Sequence, residues 1–251
     1  KEELIKPILD DFTDATGIKV NLITGGADAL IARMKSEGQF SPADILISTD
    51  VGRLVRAKQL GLTQSNADET VINTVPAYLR DEDNHWTALT LRARPIMYSK
   101  ARVKPESLST MQALTNPEWK GRVCIRSSSN IYNQSMVSGM IQSIGEAATL
   151  SWAKGLVANF ARTPKGGDRD QIKALVAGEC DVAIANTYYL AGMLNDSDEA
   201  TRKTAEQVAV FWPDQESSGA HVNISGVSIA KHAKHVDAAK ALIKFMLTDE
   251  A

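Results

Sequence analysis

The chain has 251 residues, 43% of them apolar and 23% charged, with a net charge of −2. This is an ordinary composition for a globular protein, long enough for one large domain or two smaller ones. It carries no basic surplus to favour nucleic acid or an anionic membrane and no apolar run long enough to span a bilayer. It begins at Lys1 with neither an initiator Met nor a signal sequence, which fits a processed or trimmed product.

In chain order, residues 2–15 carry Ile5, Ile8, Leu9 and Phe12 at helical spacing, with Pro7 limiting the first turns and Gly17 ending the helix. Ile18 to Ile23 reads as a strand. Gly25-Gly26-Ala-Asp28 reads as a turn with Asp28 as candidate cap of a helix running to about Ser36. A buried strand over Ala43–Ser48 and a helix over Val51–Lys58 follow, and the alternation argues for parallel βα units. Residues 63–85 are polar and irregular. Trp86 to Ser99 is extended, Leu108 to Leu114 is a short helix, and Arg122 to Arg126 is a strand. Ser127-Ser-Ser-Asn130 caps a helix over 131–144, and another helix covers 146–160. Asp170 to Ala177 is a helix stopped by Gly178, 198–205 a charged helix, Val208 to Trp212 a strand, His221 to Ala230 extended and Ala233 to Leu247 a final helix. The two extended segments read as crossings between two α/β lobes, one built from 1–92 and 225–251, the other from 93–224.

Val182-Ala-Ile-Ala185 is a short apolar run, as in a strand covered on both faces, and Tyr188-Tyr189 follows it. Ligands of open α/β sheets bind at the carboxyl ends of strands, so two phenols there offer two hard oxygen donors. Ordinary packing is the alternative reading of a bare Tyr-Tyr. The two cysteines, Cys124 and Cys180, fall at similar places in two strands. They are either a disulfide or two buried thiols, and the spacing excludes a CxxC pair or a zinc site. The disulfide is the expectation carried forward, because the cysteines precede Tyr132 and Tyr188 by eight residues each. His232 and His235 read as a solvated face, His85 and His221 carry no assigned role, and Tyr78 and Tyr98 read as packing residues. There is no Gly-x-Ser-x-Gly elbow, P-loop or dinucleotide fingerprint, so nothing points to an enzyme.

Several stretches converge on one family. They are Leu91-Arg-Ala-Arg-Pro-Ile-Met-Tyr-Ser-Lys100, Gly121-Arg-Val-Cys-Ile-Arg-Ser-Ser-Ser-Asn-Ile-Tyr-Asn-Gln134, and Asn186-Thr-Tyr-Tyr189 preceded by Gly-Glu-Cys-Asp. With Ser41-Pro-Ala-Asp44 and His221-Val-Asn-Ile-Ser-Gly226, the chain resembles the periplasmic ferric-ion-binding proteins of bacterial iron ABC transporters over essentially its whole length. The resemblance implies an α/β, two-lobed periplasmic binding protein of type II-like fold, hinged, with the ligand in the interlobe cleft. It implies Fe(III) on the phenolates of Tyr132, Tyr188 and Tyr189, and a periplasmic monomer that delivers iron to an inner-membrane ABC permease, with no membrane insertion. A family ligand often found after the first strand would lie before Lys1, and the family usually continues past the last helix. The family's occasional carboxylate ligand is in doubt where this chain reads Ser48-Thr-Asp50.

The chemistry agrees: Fe(III) is a hard cation that favours anionic oxygen, and tyrosine ligates ferric haem in catalase. Three phenolates neutralise a trivalent ion and leave room for carbonate or another small synergistic anion. Arg94, with Arg92 and Arg126, is the candidate to balance that anion, and the Ser127–Asn130 cap is a candidate anion seat. The competing function is a small-anion carrier on the same fold.

Overall fold

The structure is a computed structural model, and it describes residues 2–248; Lys1 and residues 249–251, which the lobe expectation included, lie outside the described residues. The regular elements are α1 (Glu2–Thr16), α2 (Ala27–Glu37), β1 (Ile45–Ser48), α3 (Val51–Gln59), β2 (Thr63–Gln64), α4 (Glu69–Thr74), β3 (Thr87–Ala93) and β4 (Ile96–Ser99). After short 3-10 turns come β5 (Val123–Cys124), α5 (Ile131–Ile144), α6 (Glu146–Ala158), α7 (Asp168–Ala177), β6 (Val182–Ile184), α8 (Thr187–Leu194) and α9 (Glu199–Glu206). The chain closes with β7 (Val208–Phe211), β8 (Val222–Ala230) and α10 (Val236–Phe245). It divides into two compact units, residues 1–91 with 224–251, and residues 92–223. The chain passes from one to the other within β3 and again within β8.

In the first unit, β8 lies between β1 and β2 and pairs antiparallel with both, Ile47 opposite Val227 and Thr63 opposite Ala230. Its apolar residues bury in three clusters: Val71, Val227, Ile229 and Ile243; Ile31, Leu46 and Ala57; and Leu9, Phe12 and Leu242. Phe12 meets Phe245 edge to face, joining α1 to α10. Ile18–Ile23 keeps a strand's alternation, with Ile18 and Val20 packed against the last of these clusters, but it joins neither sheet and leaves Leu22 and Ile23 exposed. The cap of α2 is Gly26 rather than Asp28. Asp28 sits in the first turn, where its carboxylate takes Arg53 at 2.9 Å and Arg56 at 3.1 Å, partners from α3 that local pattern does not reveal. Asp50 does cap its helix, accepting from the Gly52 amide at 2.9 Å, and is fully buried.

In the second unit the strand order is β5-β6-β4-β7. β5 and β6 run parallel, with Cys124 opposite Ala183, whereas β4 is antiparallel to both β6 and β7. The alternation of helices and strands suggested parallel pairing throughout, and the structure corrects this. β4 and β8 each enter their sheet directly from an extended crossing, without the helical crossover a parallel neighbour requires. The expected single extended run over 86–99 is interrupted at Arg94-Pro95, as expected where proline removes a ladder donor. One face of this sheet buries Ile96, Trp119, Val123, Met136, Trp152 and Ile184; the other buries Met97, Cys124, Ile172, Leu175, Ala183 and Met193. Alternate residues of β4 and β6 thus serve opposite layers, as the strand period demands. Tyr98 packs in the first layer, while Tyr78, read as a packing residue, is 83% exposed.

Candidate metal centre

The parallel pair β5 and β6 positions the site. After β5 the chain turns through Arg126–Asn130 and starts α5, with Asn130 Oδ1 accepting from the Tyr132 amide at 3.0 Å. After β6 it turns through Ala185-Asn186 and starts α8. Tyr132 is therefore the second residue of one helix, and Tyr188 and Tyr189 are the second and third of the other. The first turn of a helix is the end at which its peptide dipoles favour negative charge. Cys124 and Cys180 are joined by a disulfide, Cα to Cα 5.9 Å, closing β5 against the approach to β6.

The phenols meet. Tyr188 Oη donates to Tyr132 Oη at 3.2 Å, and the Tyr188 and Tyr189 rings lie 4.3 Å apart between centroids. Tyr132 is buried, Tyr188 is 41% exposed and Tyr189 is half-buried, so the group has solvent access from one side. Burial, then the hydrogen bond to Tyr132, pushes the Tyr188 phenol well above the ordinary range, and burial raises Tyr189. Both favour the neutral phenol, so a cation coordinated by them would have to displace their protons. Among the described residues no group of three or more His, Cys, Asp or Glu could hold a metal ion.

Three arginines surround the phenols. The guanidinium carbons of Arg92 and Arg126 lie 5.3 and 5.5 Å from the Tyr132 ring centroid, within cation–π range. Arg126 gives an Nη1 hydrogen to Asp168 at 3.3 Å. Arg94 is 1% exposed and differs from the anion-binding role expected of it. Its Nε and Nη2 bond Asn133 Oδ1 at 3.1 and 2.7 Å, its Nη1 bonds Asp168 Oδ2 at 2.8 Å and Asn186 Oδ1 at 3.0 Å, and Nη2 also reaches the Ile184 carbonyl at 3.3 Å. A guanidinium has five N–H donors, and all five are spent on protein acceptors. In this structure Arg94 is a buried cation whose donors are all engaged by protein groups. The helix cap also offers less than expected. Ser127 Oγ pairs with Ser129 Oγ and accepts the Ser129 amide, the Asn130 amide bonds the Ser127 carbonyl, and Asn130 Oδ1 is occupied as the cap.

Sequence reading did not single out Asp168, Asn133 and Asn186. Asp168 is fully buried at the start of α7 and bonds Arg94, Arg126 and the Asn186 amide. The available signal was the demand that a buried arginine find a carboxylate, and that each tyrosine motif carries an asparagine beside it.

In the His232–His235 stretch, His235 Nδ1 pairs with Asp44 at 2.9 Å, and its backbone amide bonds the same carboxylate. His221 does more than expected. Its carbonyl accepts from the Arg94 amide at 2.9 Å, and burial with the nearby Arg94 and Arg92 charges depresses its imidazole to about 4. No helix among the described residues is long and apolar enough to cross a membrane.

A family model described as bacterial extracellular solute-binding protein matches residues 1–251. The chain is 51% identical to iron uptake protein A1 of Synechocystis sp. over 240 residues, covering 96% of this chain and 67% of that protein. It is 30% identical to an Fe(3+)-binding periplasmic protein of Serratia marcescens over 246 residues, covering 98% of this chain and 70% of the other. Among solved structures, the Trichodesmium protein IdiA (FutA) in complex with iron and citrate ligands superposes with a TM-score of 0.95 at 44% identity, over 98% of this chain and 78% of that one. The ferric binding protein from Campylobacter jejuni superposes at 0.93 with 37% identity, over the same shares.

Proposed function

The chain belongs to the bacterial extracellular solute-binding protein family, and from that premise we propose that it is a periplasmic Fe(III) carrier. In this reading the phenolate oxygens of Tyr132, Tyr188 and Tyr189 hold the ion and the protein hands it to an inner-membrane ABC permease. The family is one of transport proteins, not of enzymes. The observation that carries the reading is the meeting of three phenols from two helix starts, with the Tyr188 and Tyr132 oxygens 3.2 Å apart. Hard anionic oxygen in that number suits a trivalent hard cation. The names of the relatives, which bind ferric iron or take up iron, support it.

Arg92 and Arg126, stacked beside Tyr132, are the cations proposed to balance carbonate or a carboxylate anion that completes the coordination, with Ser127 at the exposed edge. Arg94 is left out of that set because all five of its donors serve protein acceptors, and Asn130 because its Oδ1 is the cap of α5.

The test is a titration with ferric nitrilotriacetate, followed by the visible phenolate-to-iron charge-transfer band. The wild-type protein should turn reddish. Tyr132→Phe, Tyr188→Phe and Tyr189→Phe should each weaken binding and shift or bleach the band, and Tyr98→Phe should leave it alone. A protein that stays colourless and iron-free, or a triple Phe variant with an unchanged spectrum, would defeat the reading and favour the small-anion carrier.

A further inference from the structure

We propose that Arg94 is the positioning residue of the phenol site, a buried guanidinium that fixes the two tyrosine-bearing helix starts against each other. The inference rests on reading the tyrosines as the Fe(III) ligands and adds to it the group that sets their geometry.

Arg94 stands just beyond β3, before Pro95, and is almost wholly shut from solvent. Its hydrogens go to four residues, of which the Ile184 carbonyl belongs to β6 itself and the other three lie at helix starts. One fork holds Asn133, the residue after Tyr132. A second arm holds Asn186, the residue that opens the helix of Tyr188 and Tyr189, and the third holds Asp168 at the start of α7.

The behaviour of Asn186 is decisive. Asparagine at a helix N-terminus ordinarily turns its side-chain oxygen back to cap the first-turn amides. Asn186 occupies that position in α8 and makes no side-chain cap; its oxygen faces Arg94 instead. The Asn186 amide is held by the same Asp168 oxygen that pairs with Arg94, at 2.8 Å. On the other side, Asn133 passes the restraint on. Its Nδ2 donates to the carbonyls of Arg126 at 2.8 Å and Ser127 at 3.2 Å, pinning the turn that leads into α5. The tyrosines themselves are thus oriented by a buried Arg–Asp–Asn cluster that is not expected to touch the metal.

Lysine at this place keeps the charge but offers one nitrogen where the planar fork offers three, so it cannot serve Asn133, Asn186 and Asp168 together. Arg94→Lys should weaken Fe(III) binding about 10–100-fold, the usual effect of losing a group that orients metal ligands, and shift the charge-transfer band. The loss should be the same at low and saturating bicarbonate or citrate. Asn186→Ala, which leaves the Arg94–Asp168 pair intact, should give a weaker version of the same defect.

In the iron-free protein labelled with 13C-tyrosine, Arg94→Lys should move the ring signals of Tyr132, Tyr188 and Tyr189 and leave that of Tyr78. This arm reads the positioning role without iron, so a failure of the ferric reading shows in the wild-type titration and not here. An Arg94→Lys protein with unmoved tyrosine signals, or with full affinity restored by excess anion, would overturn the proposal and return Arg94 to anion binding. If Arg94→Lys does not fold, Asn186→Ala decides: tyrosine signals, affinity and band all as in the wild type would overturn it.

Discussion

The Cys124–Cys180 bridge closes a loop across 56 positions of the second unit. Replacing both cysteines by alanine frees that loop in the unfolded chain. The chain-entropy relation for a loop of this length gives about 4 kcal/mol of lost stability. Both sulfurs lie in the buried layer with Met97, Ile172 and Ala183, so the change adds no unpaired polar group. At about 1.4 kcal/mol per decade, 4 kcal/mol is about a thousand-fold rise in global opening of this unit. Amide hydrogen exchange read by mass spectrometry resolves the effect by segment. The slowest amides of β4, β6 and α7 should exchange roughly 1,000 times faster in the variant, while those of β1 and β8 in the first unit should change little. A rise below about tenfold in the second unit would refute the loop-entropy reasoning. Equal acceleration in both units would show that the bridge acts on the whole chain.

Four further outcomes are expected. The ordinary His221 imidazole titrates near 6.5 and the folded one near 4, so below pH 6.5 the unfolded chain binds a proton that the folded one refuses. Stability is therefore lost as pH falls from 6.5 to 4, by up to about 3 kcal/mol, and His221→Gln should remove this slope from unfolding free energies measured between pH 7.5 and 4.5. A Cβ at Gly226 would stand 2.6 Å from the Thr87 carbonyl oxygen and 2.8 Å from Leu54, so Gly226→Ala should cost about 1–3 kcal/mol in urea unfolding of the first unit. Asn130→Ala removes the cap of α5 and should cost about 1 kcal/mol by the same assay. Fe(III) affinity should fall steadily from pH 8 to pH 5, since buried phenols must surrender protons to the ion, and a flat profile in competition titrations would point to other ligands.

Much of this fold was legible because its signals are local. The apolar periodicity of α1 and α10 and the Asn130 cap lie within a few residues of what they determine. The direction of β4 and β8 was not legible, because strand direction depends on which segments meet across the sheet. The segment Ile18–Ile23 shows the same limit: its alternation is that of a strand, yet alternation cannot supply a ladder. At the site, Tyr188-Tyr189 and the serine-rich motif could be picked out as short strings. The hydrogen bonds of Arg94 could not be read from the sequence, because they go to Asp168, 74 residues away, and to two asparagines that look like ordinary helix-start residues. Position on the strand suggested that Arg92 and Arg94 share a duty; Arg92 lies over the Tyr132 ring, whereas Arg94 bonds Asn133, Asp168 and Asn186.

The parallel pairing of β5 with β6 has a consequence for how such a protein can change. Each strand is only two or three residues long and leads straight into a short connector and a helix start, and those first helical turns carry the phenols. The packed layers are built mostly from other residues, although Tyr132 is buried and Tyr189 packs against one layer. On the proposed ligand set, the groups that would hold the cargo and most of those that build the core lie in separate stretches of chain. The exposed positions 127–129 and the half-exposed stretch 187–188 can be rewritten while the chassis of sheet, bridge, Asn130 cap and buried arginine stays constant. A library randomised at those two stretches should return folded members at high frequency, and selection among them for other hard cations becomes a search over ligands alone.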